Sequence, residues 1–249
     1  MFFYLILVFF MNVLETIAGF GSISIGVPIL SLAYGAEASI ALFTASSLVL
    51  CVFVMATQYK KVNVREFLII VACIVPIMPL GYLLYAQIRS FEWALRLIMG
   101  VLIPFVSVRE LWLRLRKKEY KEMSRTGMYI ALGVGAVLQG MFSMGAPLIN
   151  IYALSRLKDK SDFRATMVAV WIVTNTISTL YRAFIVVPTM YPTHILTKLA
   201  YAMPLVVIAF FVGNWLHNKI SNEKFSSVVY SIQLVSGLIS IAGGISTLI

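Results

Sequence analysis

Eight apolar runs take up almost the whole chain, at about 2–34, 36–57, 67–87, 93–113, 127–155, 164–186, 196–216 and 225–249. A helix that crosses a bilayer needs about 20 such residues. Six of the runs have that length, and the first and fifth run to about thirty. The composition agrees: 61% of the residues are hydrophobic and only 12% are charged, where a soluble domain has roughly half and a quarter. We therefore read an all-α polytopic membrane protein, with lipid as its surroundings and almost no soluble domain. The opening "MFFYLILVFF" has no basic region before it and no small-x-small site after it. It reads as mature structure rather than a cleaved signal.

The net charge of +10 would suggest nucleic acid in a soluble chain. Here the basic residues cluster in short loops, such as "RLRKKEYKEMSR" at 114–125. Positive cytoplasmic loops account for that, and no nucleic-acid partner is expected. Cys51 and Cys73 lie in apolar runs and read as packing residues. His194 and His217 read as residues of separate loops, with no ligand cluster. No nucleophile has an apparent base, and the G-x-G at 19–21 lacks a βαβ unit. Neither catalysis nor a cofactor is expected.

An internal repeat organises the runs. With a constant offset, Glu15 meets Gln139, Gly21 meets Gly145, Ser22 meets Ala146, Ala41 meets Ala165 and Gln58 meets Arg182. The expected units are an N-terminal repeat at 1–115, a basic linker at 116–126 and a C-terminal repeat at 127–249. Each repeat would hold one broken or re-entrant segment and three spans. Prolines 76, 79, 104 and 204 should kink the spans that hold them. If the first and fifth segments are re-entrant hairpins, sixteen of the 20 Lys and Arg residues fall inside and four outside. If both segments span, the split is twelve to eight. The positive-inside rule favours hairpins and, with them, inverted repeats.

"AGFGSISIGVP" (18–28) and "QGMFSMGAP" (139–147) place glycines within apolar runs. Backbone broken at membrane depth must find partners in protein or in a hydrated cavity. A helix starting at such a break points free N–H groups and a positive dipole end inward. Two breaks meeting near the midplane would cradle an anion; the plainer reading is that the glycines only allow close packing. On the sixth segment Arg164, Trp171, Asn175, Ser178 and Arg182 share one helical face. Such a face reads as an anion path, since guanidinium forks suit oxyanions; the alternative is that both arginines snorkel at the helix ends. The matching face of the second segment carries Thr44, Ser47, Cys51 and Gln58. Glu15, ionisable and beside a break, is a candidate for proton coupling. Its alternative is a capping role near the outer surface, and its repeat partner Gln139 is neutral.

"GFGSISIGVPIL" resembles the glycine-rich first motif of the sulfite exporter TauE/SafE family. "GMFSMGAPLINIYAL" resembles that family's second, G-x-x-G-x-G-G-P motif, and "DFRATM" at 162–167 its Phe-Arg-Ala-Thr signature. The resemblance extends over the whole chain in length and order of spans. It implies a transporter of sulfur oxyanions or organosulfonates, usually for export. Carried over by position, the motif residues are Gly19, Gly21, Pro28, Gly140, Gly145, Pro147 and Arg164. Ser22, Ser24, Ser143 and Ala146 stand where the family has glycine, which bears on selectivity.

The reading that results is a secondary transporter of sulfite or organosulfonates working by alternating access in a bacterial or archaeal plasma membrane. Gly19, Gly21, Ser22, Ser24, Ser143, Gly145 and Ala146 would line the cradle. Asn175, Arg182, Arg164 and Trp171 would complete it. The expected partners are the small anion, membrane lipid and a coupling ion, H⁺ or Na⁺. The competing readings are a passive anion channel and a non-transporting structural or assembly subunit.

Overall fold

The computed structural model describes residues 1–89 and 124–221, with scattered helical positions between 231 and 242. The spans expected at 93–113 and 225–249, Pro104, and most of the linker at 116–126 lie outside the described residues. All the elements described are helical. They are α1 (Phe2–Ala18), α2 (Ser22–Tyr34), α3 (Ala36–Gln58), α4 (Val64–Ile74) and α5 (Met78–Ile88), then α6 (Arg125–Phe142), α7 (Ala146–Arg156), α8 (Lys160–Phe184) and α9 (Thr193–Lys219).

Local chemistry sets the ends. Asn63 Oδ1 accepts the Glu66 N–H at 3.1 Å and starts α4. Asp159 Oδ1 accepts the N–H groups of Ser161 and Asp162 and starts α8. Both are side-chain caps for donors that have no helical partner. Pro76 and Pro79 interrupt the run at 67–87, because a proline removes a donor and clashes one turn back. α4 and α5 accordingly meet at a 41° bend. Pro204 is accommodated inside α9.

Among the described residues, two helices are long and apolar enough to cross a membrane: α3 with the 3-10 turn that follows it, and α9. The bent pair α4–α5 makes a third if counted as one pass. α8 has 25 residues, but its polar face keeps it out of that group.

The first and fifth runs are broken, and each folds back on itself. The N-terminal amine of Met1 donates to Tyr34 Oη at 2.9 Å, so α1 begins where α2 ends. Ser155 Oγ lies 3.0 Å from Met128 Sδ, so α7 ends beside the start of α6. These are two helical hairpins with their tips at residues 19–21 and 143–145. The base of the first adjoins Gly35, where α3 starts. The base of the second adjoins α4, just beyond the end of α3: Tyr152 Oη donates to Glu66 Oε2 at 2.8 Å. The hairpins therefore enter from opposite ends of α3. At 1.5 Å per residue its 23 residues span about 35 Å, close to a bilayer's thickness. α1 packs chiefly on α9, α3 on α2 and α8, and α5 on α6.

Candidate functional site

The two tips are built alike. α1 ends at Gly19, in the left-handed conformation with φ 80°, and the Gly19 N–H reaches back to Glu15 O. α6 ends at Ser143, left-handed with φ 56°, and the Ser143 N–H reaches back to Gln139 O. Glycine adopts this conformation freely and serine rarely does. A Cβ at Gly19 would also come within 3.0 Å of Arg164 Cα. The same offset that pairs Glu15 with Gln139 thus pairs the two terminating residues.

At each tip the side chain one turn before the end crosses the break to the helix that follows. Glu15 takes hydrogen bonds from the hydroxyl and the backbone N–H of Ser22, the first residue of α2. Gln139 Oε1 takes the Gly145 N–H at 2.9 Å, immediately before α7. Each side chain is also held from a long helix. Ser47 Oγ donates to Glu15 Oε1 at 2.6 Å, and Cys51 Sγ approaches the same oxygen at 3.7 Å. Gln139 Nε2 donates to Asn175 Oδ1 at 3.1 Å and to Thr174 Oγ1 at 3.2 Å. Glu15 is buried among hydroxyl, thiol and amide donors, with no ion-pair partner among the described residues.

The two arginines of the α8 face serve as caps. Arg164 Nη1 donates to Thr16 O at 3.1 Å, and its Nη2 to Asn214 Oδ1 at 3.0 Å. Arg182 Nη1 donates to Ser143 Oγ at 2.8 Å, and its Nη2 sits 3.3 Å from Gly140 O and Met141 O. Trp171 Nε1 donates to Gly19 O at 2.8 Å, and His217 Nδ1 lies 2.7 Å from Ile17 O. The last carbonyls of a helix have no intrahelical donor, and away from water they need other partners. A cation suits them further because they form the negative end of the helix dipole. Both arginines are almost wholly buried, at 1% and 2% exposure, so neither snorkels to a surface.

A small cavity lies between the tips. Its lining includes Gly21 and Ser24 from the first hairpin, Ser143 and Ala146 from the second, Trp171 and Asn175 from α8, and the side chains of Glu15 and Gln139. The first turns of α2 and α7 both face it. Helix N-termini present unpaired N–H groups and positive potential, which favours a negative guest. About 10 Å³ is open to the centre of a water molecule, room for roughly one water.

The cavity brings together most of the residues expected from the sequence. Ser22 is turned onto Glu15, Gly19 and Gly145 shape the tips, and the two arginines stand behind the lining. Phe20 and Ile23, which also line it, carry no polar signal that sequence reasoning could use. Gln139 was visible only as the partner of Glu15 under the repeat offset, and Ser47 and Thr174 only as polar positions on long helices. The histidines are placed differently from the expectation. Neither lies in a loop: His194 is in the first turn of α9 and His217, buried, in its last. α9 runs about a turn beyond the purely apolar stretch at each end. Cys51 and Cys73 are free, as read, but Cys51 contacts Glu15 rather than only packing.

Apolar helices with a polar centre at two opposed helix breaks define an integral membrane protein of the transporter type. The chain belongs to the sulfite exporter TauE/SafE family, whose model matches residues 4–240. No curated protein and no solved structure matches it.

Proposed function

We propose that this chain is a secondary transporter of small anions, with sulfite or an organosulfonate as substrate, and that it exports them across a bacterial or archaeal plasma membrane. The observation that carries the reading is the cavity faced at once by the first turns of α2 and α7. The positive ends of two helix dipoles converge there in a site walled by helices, where a negative charge gains most from fixed dipoles. Hydroxyls of Ser24 and Ser143, with the Asn175 amide, supply further polar groups around an oxyanion. Membership of the sulfite exporter family supports the choice of a sulfur oxyanion.

The cavity is too narrow for a tetrahedral oxyanion, so loading requires the hairpins to separate. That favours alternating access, with one hairpin and its supporting helices moving against the other, over a passive channel. Glu15 would exchange a proton as the anion enters, because both compete for the donors at the start of α2. The repeats at 1–115 and 127–249 would be the moving halves.

Flux assays in proteoliposomes test this. A panel of sulfite, sulfoacetate, taurine, thiosulfate and sulfate is run with and without proton and sodium gradients. The expected result is saturable flux of one or two sulfur anions, accelerated by one gradient. Flux that is indifferent to both gradients and does not saturate would make the protein a channel. No flux, and no thermal stabilisation by any of the anions, would leave a structural subunit.

A further inference from the structure

At the end of the bundle opposite the first hairpin's base, a second cavity of about 240 Å³ opens between three helix ends. Arg65 comes from the first turn of α4. Arg125 and Tyr129 come from the start of α6, and Tyr152 and Arg156 from the end of α7. These ends are tied together underneath. Glu66 is buried and accepts from Tyr152 Oη at 2.8 Å, with Arg156 Nε 3.9 Å from its other oxygen. Of the three arginines that line the cavity, only Arg156 pairs with this carboxylate. Arg65 and Arg125 have no ion-pair partner among the described residues. Among the described residues, Arg65 and Arg125 thus leave about two positive charges at the site unbalanced.

The apolar surface beside it points to the kind of anion. On α4 Leu68 is 57% exposed, one turn from Arg65, and on α6 Ile130 is 62% exposed, next to Tyr129. Val64 and Val134 continue the exposed apolar face on the same two helices, which pack together. Lys60 and Lys61 lie just before α4 and Lys158 just after α7, at the same end of the bundle. By the positive-inside rule this is the cytoplasmic end, which borders an anionic leaflet.

We infer that this cavity binds the phosphate headgroup of an anionic phospholipid, with the acyl chains lying along Leu68, Ile130 and Val134. Arg65 and Arg125 take the phosphate oxygens, since a guanidinium fork matches that geometry. Tyr129 adds a hydroxyl at the interface, where amphipathic rings settle. Arg156 stays on Glu66 and joins α7 to α4. Because the bound lipid would bridge α4 and α6, it would also brace the base of the second hairpin. This assignment does not depend on the identity of the transported anion.

The test uses the full chain in detergent. Thermal unfolding is followed with short-chain phosphatidylglycerol, short-chain phosphatidylcholine or inorganic phosphate added. Phosphatidylglycerol should raise the midpoint of the wild type more than the other two. Its apparent affinity should fall roughly fivefold for each of Arg65→Gln and Arg125→Gln. Lysine at the same two positions should restore most of it, which separates charge from folding. Equal stabilisation by inorganic phosphate would show that the apolar groove plays no part and would overturn the lipid assignment. So would equal stabilisation by phosphatidylcholine, or phosphatidylglycerol affinities unchanged in the Gln variants. Should a Gln variant fail to fold, retention of phosphatidylglycerol by the lysine variants and wild type in native mass spectrometry decides: binding no stronger than phosphatidylcholine in all of them refutes the site.

Discussion

Asn175 Nδ2 lies 3.3 Å from Ser47 Oγ, and this contact joins the two hairpin tips into one hydrogen-bonded chain. It runs from Ser22 through Glu15, Ser47, Asn175 and Gln139 to the amide of Gly145. Ser47 is the middle residue of α3. The chain therefore crosses the molecule at mid-height, between two long helices, and gives the two tips a shared hydrogen-bonded path.

The coupling is measurable as a double-mutant cycle. Ser47→Ala and Asn175→Ala should each lower thermal stability in detergent, and the pair should be non-additive by about 0.5–3 kcal/mol. Strict additivity would mean that the two tips are independent.

Glu15→Gln tests the proton. Gln139 holds the matching tip with an amide of the same length, so the variant should fold. Its anion flux down a concentration gradient should persist, while acceleration by a proton gradient is lost. Retained proton coupling would remove Glu15 from the mechanism.

Arg182→Ala strips a donor from Ser143, Gly140 and Met141 at once. Leaving buried acceptors unpaired costs about 1–3 kcal/mol each, so the melting temperature should fall as well as anion affinity. Because Arg182 stands behind Ser143 rather than in the cavity, Arg182→Lys should recover stability better than affinity. Wild-type affinity in Arg182→Ala would exclude the arginine from the site.

Close backbone approach explains Gly81 and Gly140, which face each other across α5 and α6. A Cβ on Gly140 would run into Met78 O and lie 3.0 Å from Gly81 Cα, and one on Gly81 would run into Val137 O. Alanine at either should destabilise by about 1–3 kcal/mol or more. Gly133 is the control: a Cβ there meets only Ile77 Cδ1, at 3.9 Å. Gly133→Ala should be stabilising by about 0.5–1 kcal/mol, as for an open helical site.

Ser143 has a glycine's conformation with a serine's hydroxyl. Ser143→Gly should leave stability nearly unchanged, because relief at φ 56° offsets the bond lost from Arg182. The panel of transported anions should shift, since the hydroxyl lines the cavity. Unaltered selectivity in flux assays would show that the hydroxyl serves only the arginine.

The helical class, the presence of breaks within 18–28 and 139–147, and the polar face of α8 were legible in the chain itself. They follow from local rules: apolar length, glycine within an apolar run, and the period of the α-helix. The offset relating Glu15 to Gln139 was legible too, and it leads to the equivalent caps at Gly19 and Ser143. What no local rule supplies is the partner of each buried polar group. Arg164 and Arg182 could be read as anion ligands or as snorkelling ends, but their neighbours in space could not be read at all. The fold shows them taking carbonyls at the ends of α1 and α6, positions distant in sequence. His217 likewise gained its role only when α9 came to lie along α1.

The sequence alone thus determined that this chain lives in a membrane and where its two helices must break. Only the tertiary structure decided that the breaks meet tip to tip, because that depends on two hairpins entering from opposite ends of α3. It also decided which carbonyls each arginine satisfies, since in a dry interior a backbone acceptor must take whichever donor the packing brings within 3 Å or so.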